Sequence, residues 1–314
     1  MSTADDPPTL RLGTRGSLLA RAQSEMVARE LEQRHTGLRV ELFTYTTTGD
    51  AVADRPLHDV GGKGLFTKEL EQALLAGEMD FAVHSFKDVP VTMPLVDQTD
   101  LVMAAVPVRE DPRDVLASRK AKRISDLPQG ASVGTGSLRR RCQLLAARPD
   151  LHVQMIRGNI DTRLRKLNEG QYDAVILAFA GLHRSGLMDD SYMTAVDPTI
   201  LLPAAAQGAL ALQCRRSDER TRRFLEVMND PATAEAVAAE RAIVQALQGD
   251  CHSPIGAWAV ADQAVLTLHV AVGARGGQPP VLKASASGER QIVVQSVLNS
   301  LAERNVQALL ACGR

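Results

Sequence analysis

The feature that most constrains this chain is an order of parts that occurs twice. Thr9 to Leu12 reads as a strand, and Gly13-Thr14-Arg15-Gly16-Ser17 then leads into a helix. Further on, Ser132-Val133 reads as a strand, Gly134-Thr135-Gly136-Ser137 as a loop, and Leu138 onward as a helix. A second pair of segments matches as well. Gly77-Glu78-Met79-Asp80-Phe81-Ala82-Val83 and Gly170-Gln171-Tyr172-Asp173-Ala174-Val175 both read as helix stop, turn and entry to a buried strand. Two related α/β domains are expected; their spacings differ, which excludes a solenoid. Strands alternating with helices imply mostly parallel sheets, which bind ligands beyond the carboxyl ends of their strands, commonly in a crevice between domains.

Periodicity supplies the other elements. Leu19, Ala22 and Met26 recur at helical spacing behind Ser17, a residue type that caps helices. Leu38, Val40 and Leu42 alternate with charged residues, as in a strand. The loop Val60-Gly61-Gly62-Lys63-Gly64 precedes a helix with Phe66, Leu70, Ala73 and Leu74 on one face. Pro203 to Gln213 reads as a return segment that closes the first domain after the second. An alanine-rich helix ending near Gln248, a strand over Val265 to Val272 and a final helix carrying Val294, Val297, Leu298 and Leu301 then form a smaller α+β domain. The expected division is 1–105 with 205–228, then 106–204, then 229–314. A chain of 314 residues exceeds what one growing core accommodates, in keeping with several domains.

Composition narrows the function. Hydrophobic residues make up 45% and charged residues 23%, as in a folded globular protein. Aromatics at 3% are too few for stacking platforms, and a net charge of -1 creates no global attraction to nucleic acid or an anionic membrane. Of the 36 Lys+Arg, 29 are arginine, the side chain that grips carboxylates and phosphates bidentately; codon bias is the competing explanation. Cys142, Cys214, Cys251 and Cys312 show neither metal-ligand spacing nor a disulfide framework, and no metal site is expected. The first nine residues lack the pattern of a signal peptide, and no stretch is long and apolar enough to span a membrane, so a cytoplasmic protein is expected.

Candidate site residues cluster at predicted strand ends. Each glycine-serine loop opens a helix and exposes backbone N–H groups at the positive end of its dipole. Arg15 lies in one loop; Arg139 and Arg140 lie in the first helical turn after the other, where cations are disfavoured unless an anion sits beside them. Arg157 and Arg163 also fall near a strand end, and Arg184 follows the strand Ala174 to Ala178, whereas Arg215, Arg216, Arg220, Arg222 and Arg223 read as solvated surface. Asp88, beside Lys87 at the end of the strand through His84, is suited to stabilising a cation or moving a proton, although a plain turn residue is the competing explanation. Cys251 lies in a loop where its thiol is accessible; His252, adjacent in an extended segment, is poorly placed as its base. Packing accounts for the other three cysteines.

Taken in order, these segments resemble the hydroxymethylbilane synthase family, also called porphobilinogen deaminases. The resemblance runs from Arg11 to the last helix. Besides both glycine-serine loops and Val60 to Phe66, it includes His84-Ser85-Phe86-Lys87-Asp88-Val89-Pro90 and Arg109-Glu110-Asp111-Pro112-Arg113-Asp114. It continues through Leu138-Arg139-Arg140, Arg157-Gly158-Asn159, Ala206-Gln207-Gly208 and the Cys251 loop. It implies a monomeric transferase with two domains like those of periplasmic binding proteins and a third that carries a dipyrromethane cofactor, thioether-linked to Cys251. Four porphobilinogens are deaminated and added in turn, and a linear tetrapyrrole is released. By the same matching Asp88 is catalytic and stabilises the cation left when ammonia departs. Lys87, Thr135, Ser137, Arg139 and Arg140 hold the cofactor. Arg15, Ser17, Arg157, Arg163, Arg184 and Gln207 contact substrate or growing chain, with Lys63 on a loop over the site. Leu18 replaces a common proline, Asp250 a common glycine, and Asp59 a lysine of some members. A non-catalytic carboxylate receptor or effector module is the alternative, but it leaves Cys251 and the third domain without a task.

Overall fold

The computed structural model describes residues 7–48, 67–91, 100–250, 252–262 and 265–311. The chain folds as two compact units, one of residues 1–108 with 210–234 and one of 109–209 with 235–314. In the first unit a five-stranded sheet runs in the order β2 (Arg39–Tyr45), β1 (Thr9–Arg15), β3 (Phe81–Ser85), β10 (Leu210–Arg215) and β4 (Leu101–Ala105). β10 is antiparallel to both neighbours, and the other four strands share one direction. A strand from 210–215 between β3 and β4 makes this unit discontinuous in sequence.

Side chains alternate across the sheet, so its two faces carry different cores. Leu10, Leu12, Phe81, Val83, Leu210 and Leu212 pack with Val27, Ala28 and Leu31 of helix α1 (Leu18–Arg34). The opposite face buries Met79, Ala82 and Leu101 against Leu70, Ala73 and Leu74 of α2 (Lys68–Leu75), the face predicted for that helix; Phe66 lies outside the described residues. Helix α1 departs from expectation. Its buried face is Gln23, Ser24, Val27, Ala28 and Leu31, turned by one residue from the Leu19, Ala22, Met26 stripe. Two polar residues are buried there because each has a partner: Ser24 Oγ donates to Thr14 Oγ1 at 2.8 Å, and the Gln23 amide lies 3.0 Å from Ser85 Oγ.

The second unit holds a sheet of the same plan, β7 (His152–Gln154), β6 (Ser132–Gly134), β8 (Ala174–Ala178), β5 (Asp114–Ala117) and β9 (Met193–Ala195), in which β5 alone opposes the rest. Helix α3 (Leu138–Ala147) follows β6, and α4 (Ile160–Asn168) and α5 (Phe179–Arg184) bring Leu164, Leu167 and Leu182 against Val115, Val175 and Leu177. The matched turns are alike in detail. Gly77 and Gly170 have φ of 72° and 75°, the left-handed geometry that ends a helix on glycine. Asp80 then accepts from the backbone N of Arg11 at 2.8 Å, and Asp173 from that of Ser132 at 2.7 Å, each tying its turn to the adjacent strand.

After α6 (Glu219–Glu226), whose Leu225 joins the first unit's core, α7 (Pro231–Ala246) leads back into the second unit. There an antiparallel sheet, β11 (Ile255–Asp262), β12 (Val265–Gly273) and β13 (Val281–Gly288), packs on helix α8 (Arg290–Glu303). Val293, Val297 and Leu301 are the buried stripe of α8, with Val294 and Leu298 half-buried beside them. A Cβ at Gly273 would stand 2.4 Å from Cys142 Sγ, so glycine permits β12 to approach α3 closely.

Candidate functional site

In the first unit the predicted loop forms at the carboxyl end of β1. Ser17 caps α1 by accepting from the Ala20 backbone N at 3.3 Å. Arg15 and Ser17 line one small pocket with Gln23, Ser85, His84 and Asp88, the last in a single 3-10 turn directly after β3. A cation, a hydroxyl and a carboxylate from segments about 70 residues apart in sequence thus share one surface, which suits an acidic molecule with a developing positive charge. Lys87, half-buried, precedes Asp88 in the same turn.

Beneath this pocket runs a buried polar chain that the sequence does not predict. His84 Nε2 lies 2.9 Å from Gln213 Oε1, and Gln213 Nε2 donates to Glu71 Oε1 at 3.2 Å. Burial pushes His84 down to about 4, opposed by its bond to Gln213 and assisted by the charge of Arg15, which keeps the ring neutral near pH 7. Burial pushes the Glu71 carboxyl up.

The second unit collects the other arginines around a carboxylate. Ser137 caps α3 by accepting from the Arg140 backbone N at 3.4 Å, and Thr135 Oγ1 accepts from the Ser137 backbone N at 3.2 Å. Arg139 and Arg140 then point into the protein, where their side chains are only 3% and 7% exposed. The anion beside them is Asp114, the first residue of β5, itself fully buried. Its Oδ2 accepts from Arg139 Nη1 at 2.8 Å; its Oδ1 accepts from Arg140 Nη2 at 2.7 Å and from Gln207 Nε2 at 2.8 Å. The two guanidinium groups hold Asp114 well below the usual carboxylate range despite burial.

This arrangement changes what the sequence predicts for Gln207. A substrate contact is expected there, but the side chain is buried and donates to Asp114 and to the Pro112 carbonyl at 2.7 Å. Its backbone sits in a tight turn, Ala206 at φ 60° and Gly208 at φ 88°, and a Cβ at Gly208 would meet Glu110 O at 2.3 Å. Arg184 reaches the same turn, donating to Gly208 O at 2.8 Å. Burial lowers Arg184 to about 10, with Glu110 opposing the shift. Arg157 and Arg163 are half-buried on the segment following β7. That segment lies against the Gly136 loop, where a Cβ would stand 3.2 Å from Ile156 O. Arg163 Nε donates to Gly158 O at 2.8 Å.

Cys251, Lys63 and Asp59 lie outside the described residues. Beside the cysteine position, Asp250 Oδ1 accepts from the His252 backbone N and from Ser253 Oγ, both at 2.9 Å, and residues 252–254 form a turn that leads into β11. Asp114, Gln213 and Glu71 do not stand out in the sequence as partners of the site. Asp114 left one signal, a charged residue opening the buried run Val115-Leu116-Ala117.

A carboxylate-rich linear cofactor fits the second-unit residues. Two cations face one internal carboxylate at Asp114, and among the described residues Arg139 Nε and Nη2 have no protein acceptor. The Nε of Arg184 has no acceptor either and is sealed from solvent. A sealed donor is costly to leave empty, and the unpaired edge of Arg139 has the fork geometry that suits a carboxylate. No cluster of metal-ligating side chains occurs among the described residues.

Two family models match. Residues 10–223 match the porphobilinogen deaminase dipyromethane cofactor binding domain, and residues 234–303 the porphobilinogen deaminase C-terminal domain. The porphobilinogen deaminase of Syntrophobacter fumaroxidans is 49% identical over 89% of this chain and 88% of its own length. That of Roseiflexus castenholzii is 44% identical over 96% of this chain and 99% of its own. Among solved structures, a methionine-binding protein, MetQ, aligns with 75% of this chain and 96% of its own at 16% identity and a TM-score of 0.44. With both models matched and such relatives nearly as long as the chain itself, the protein belongs to the porphobilinogen deaminase family.

Proposed function

We propose that this protein is a hydroxymethylbilane synthase. It deaminates four porphobilinogens, joins them head to tail on a dipyrromethane primer attached to Cys251, and releases a linear tetrapyrrole and ammonia. The observation that carries the assignment is the pairing, on one chain of this family, of the Arg15–Ser17–Asp88 pocket with the Arg139–Arg140–Asp114 hub. When bound, the primer supplies the nucleophilic pyrrole carbon on which the chain grows.

The protein's own residues bind, orient and stabilise. Every pyrrole unit carries two carboxylates, so each addition brings more negative charge that guanidinium groups neutralise. Arg15, Ser17, Arg157, Arg163 and Arg184 take substrate and chain carboxylates, with Lys63 on a covering loop. Lys87, Thr135, Ser137, Arg139 and Arg140 hold the primer, and Gln207 acts through Asp114. Asp88 accepts from pyrrole N–H groups and opposes the positive charge that forms as ammonia leaves. The chain works as a cytoplasmic monomer of three domains, 1–105 with 205–228, 106–204 and 229–314. Among the described residues no helix is long and apolar enough to cross a membrane.

Intact mass tests this directly. Purified protein should be heavier than its sequence by two deaminated porphobilinogen units, and Cys251→Ser should lose that mass together with turnover. A fully active protein of unmodified mass would overturn the assignment.

A further inference from the structure

Asp114 stands at the centre of the second-unit site, and neither the family resemblance nor the matched motifs give it a role. Its two oxygens accept from three side chains. Oδ1 takes Arg140 Nε at 3.1 Å, Arg140 Nη2 at 2.7 Å and Gln207 Nε2 at 2.8 Å, and Oδ2 takes Arg139 Nη1 at 2.8 Å. No part of Asp114 is exposed. A carboxylate held on four hydrogen bonds in a fully buried position cannot reorient, so it sets the geometry of whatever it binds.

The two arginines are used unequally. Arg140 has a protein acceptor at each of its three nitrogens, Asp114 for Nε and Nη2 and the Ile176 carbonyl for Nη1 at 3.0 Å. Arg139 spends Nη1 alone, on Asp114 and on Leu202 O at 2.6 Å. Its Nε–Nη2 edge, the fork that matches a carboxylate, has no acceptor among the described residues. Two cations against one anion leave the cluster one positive charge in excess.

We propose that Asp114 is a positioning residue for primer attachment: by pinning Nη1 of Arg139, with Arg140 and Gln207 as its own supports, it turns the free edge of Arg139 toward a carboxylate of the dipyrromethane group. Without Asp114, Arg139 and Arg140 repel each other in a buried space and nothing fixes the plane of the Arg139 fork. The role rests on the functional assignment above and deepens it.

Primer occupancy, read as intact mass on the folded fraction, is the measurement. Asp114→Asn keeps the shape and removes the charge; occupancy per folded molecule should fall at least 10-fold, and Asp114→Glu should recover part of it, a rescue that loss of packing alone would not produce. Arg139→Lys keeps a cation beside Asp114 but removes the free edge. It should fold with a melting temperature near that of the wild type and lose occupancy to the same degree. Should Asp114→Asn fail to fold, Arg139→Lys decides alone. Wild-type occupancy in either folded variant, beside a loaded wild type, overturns the positioning role; an unloaded wild type overturns the functional assignment and this role with it.

Discussion

Glu240 and Arg109 meet through two hydrogen bonds of 2.6 and 3.1 Å, and Glu240 also accepts from the backbone N of Ala206 at 2.6 Å and of Ala259 at 2.8 Å. Glu240 has no exposed surface. One carboxylate therefore ties helix α7 to strand β11 and to the turn that carries Gln207. Glu240→Gln removes the charge that faces Arg109 and one of the acceptors that hold the backbone N–H groups of Ala206 and Ala259, and should cost about 1–3 kcal/mol. Denaturant unfolding followed by far-UV circular dichroism measures the loss.

Acid should act on the first unit through His84. Its folded value of about 4 lies below the 6.5 of an unperturbed ring, so the unfolded chain binds the proton first as pH falls. The contribution is fully present above pH 6.5 and is lost progressively down to about pH 4, up to ~3 kcal/mol in all. Melting temperature recorded from pH 4 to 8 should fall with acid, and the fall should be shallower in His84→Gln.

Gly208→Ala tests the turn beside the arginine cluster. At φ 88° an L side chain is strained, and the new Cβ would stand 2.3 Å from Glu110 O, a backbone atom that cannot swing aside. Destabilisation of about 1–3 kcal/mol is expected from the backbone alone, with more from the clash. Calorimetric unfolding is the check; an unchanged profile would mean the turn is not held as described.

Asp88→Asn preserves the size of the side chain in the Arg15–Ser17 pocket but not its charge. Porphobilinogen consumption should drop roughly 10²- to 10³-fold, as when a stabiliser of transition-state charge is removed. The primer mass should be retained. Undiminished consumption would overturn the catalytic role of Asp88, whereas a wild type that binds porphobilinogen without consuming it would favour the receptor or effector alternative.

Cys142 and Cys214 are buried, and burial pushes both thiols up to about 11. At pH 8 their thiolate fraction is on the order of one in a thousand, so a disulfide-forming thiol reagent should modify neither in the native protein and both after unfolding. Peptide mapping by mass spectrometry distinguishes them from the remaining cysteines.

What can be read along the chain is what depends on near neighbours. Ser17 is legible as a helix cap because a cap bonds within three residues, and Gly77 and Gly170 as helix stops because only glycine adopts their φ cheaply. Strand β8 is legible to the residue because a run of apolar side chains lies between a turn and a helix. The buried face of α1 is not, because Gln23 and Ser24 look like surface residues until Ser85 and Thr14 are brought against them.

The same distinction divides the site. By itself the sequence determined the two α/β repeats, the strand-end loops and the presence there of arginines, Asp88 and the capping Ser17, since each follows from local pattern and residue chemistry. Only the tertiary structure decided that Asp114 is the anion beside Arg139 and Arg140, that Gln207 supports it, and that His84 is neutral beside Gln213 and Glu71. Those outcomes depend on polar and charged groups 25 to 142 residues apart in sequence being buried together, and burial strengthens an electrostatic pairing that in the open chain would be lost to water.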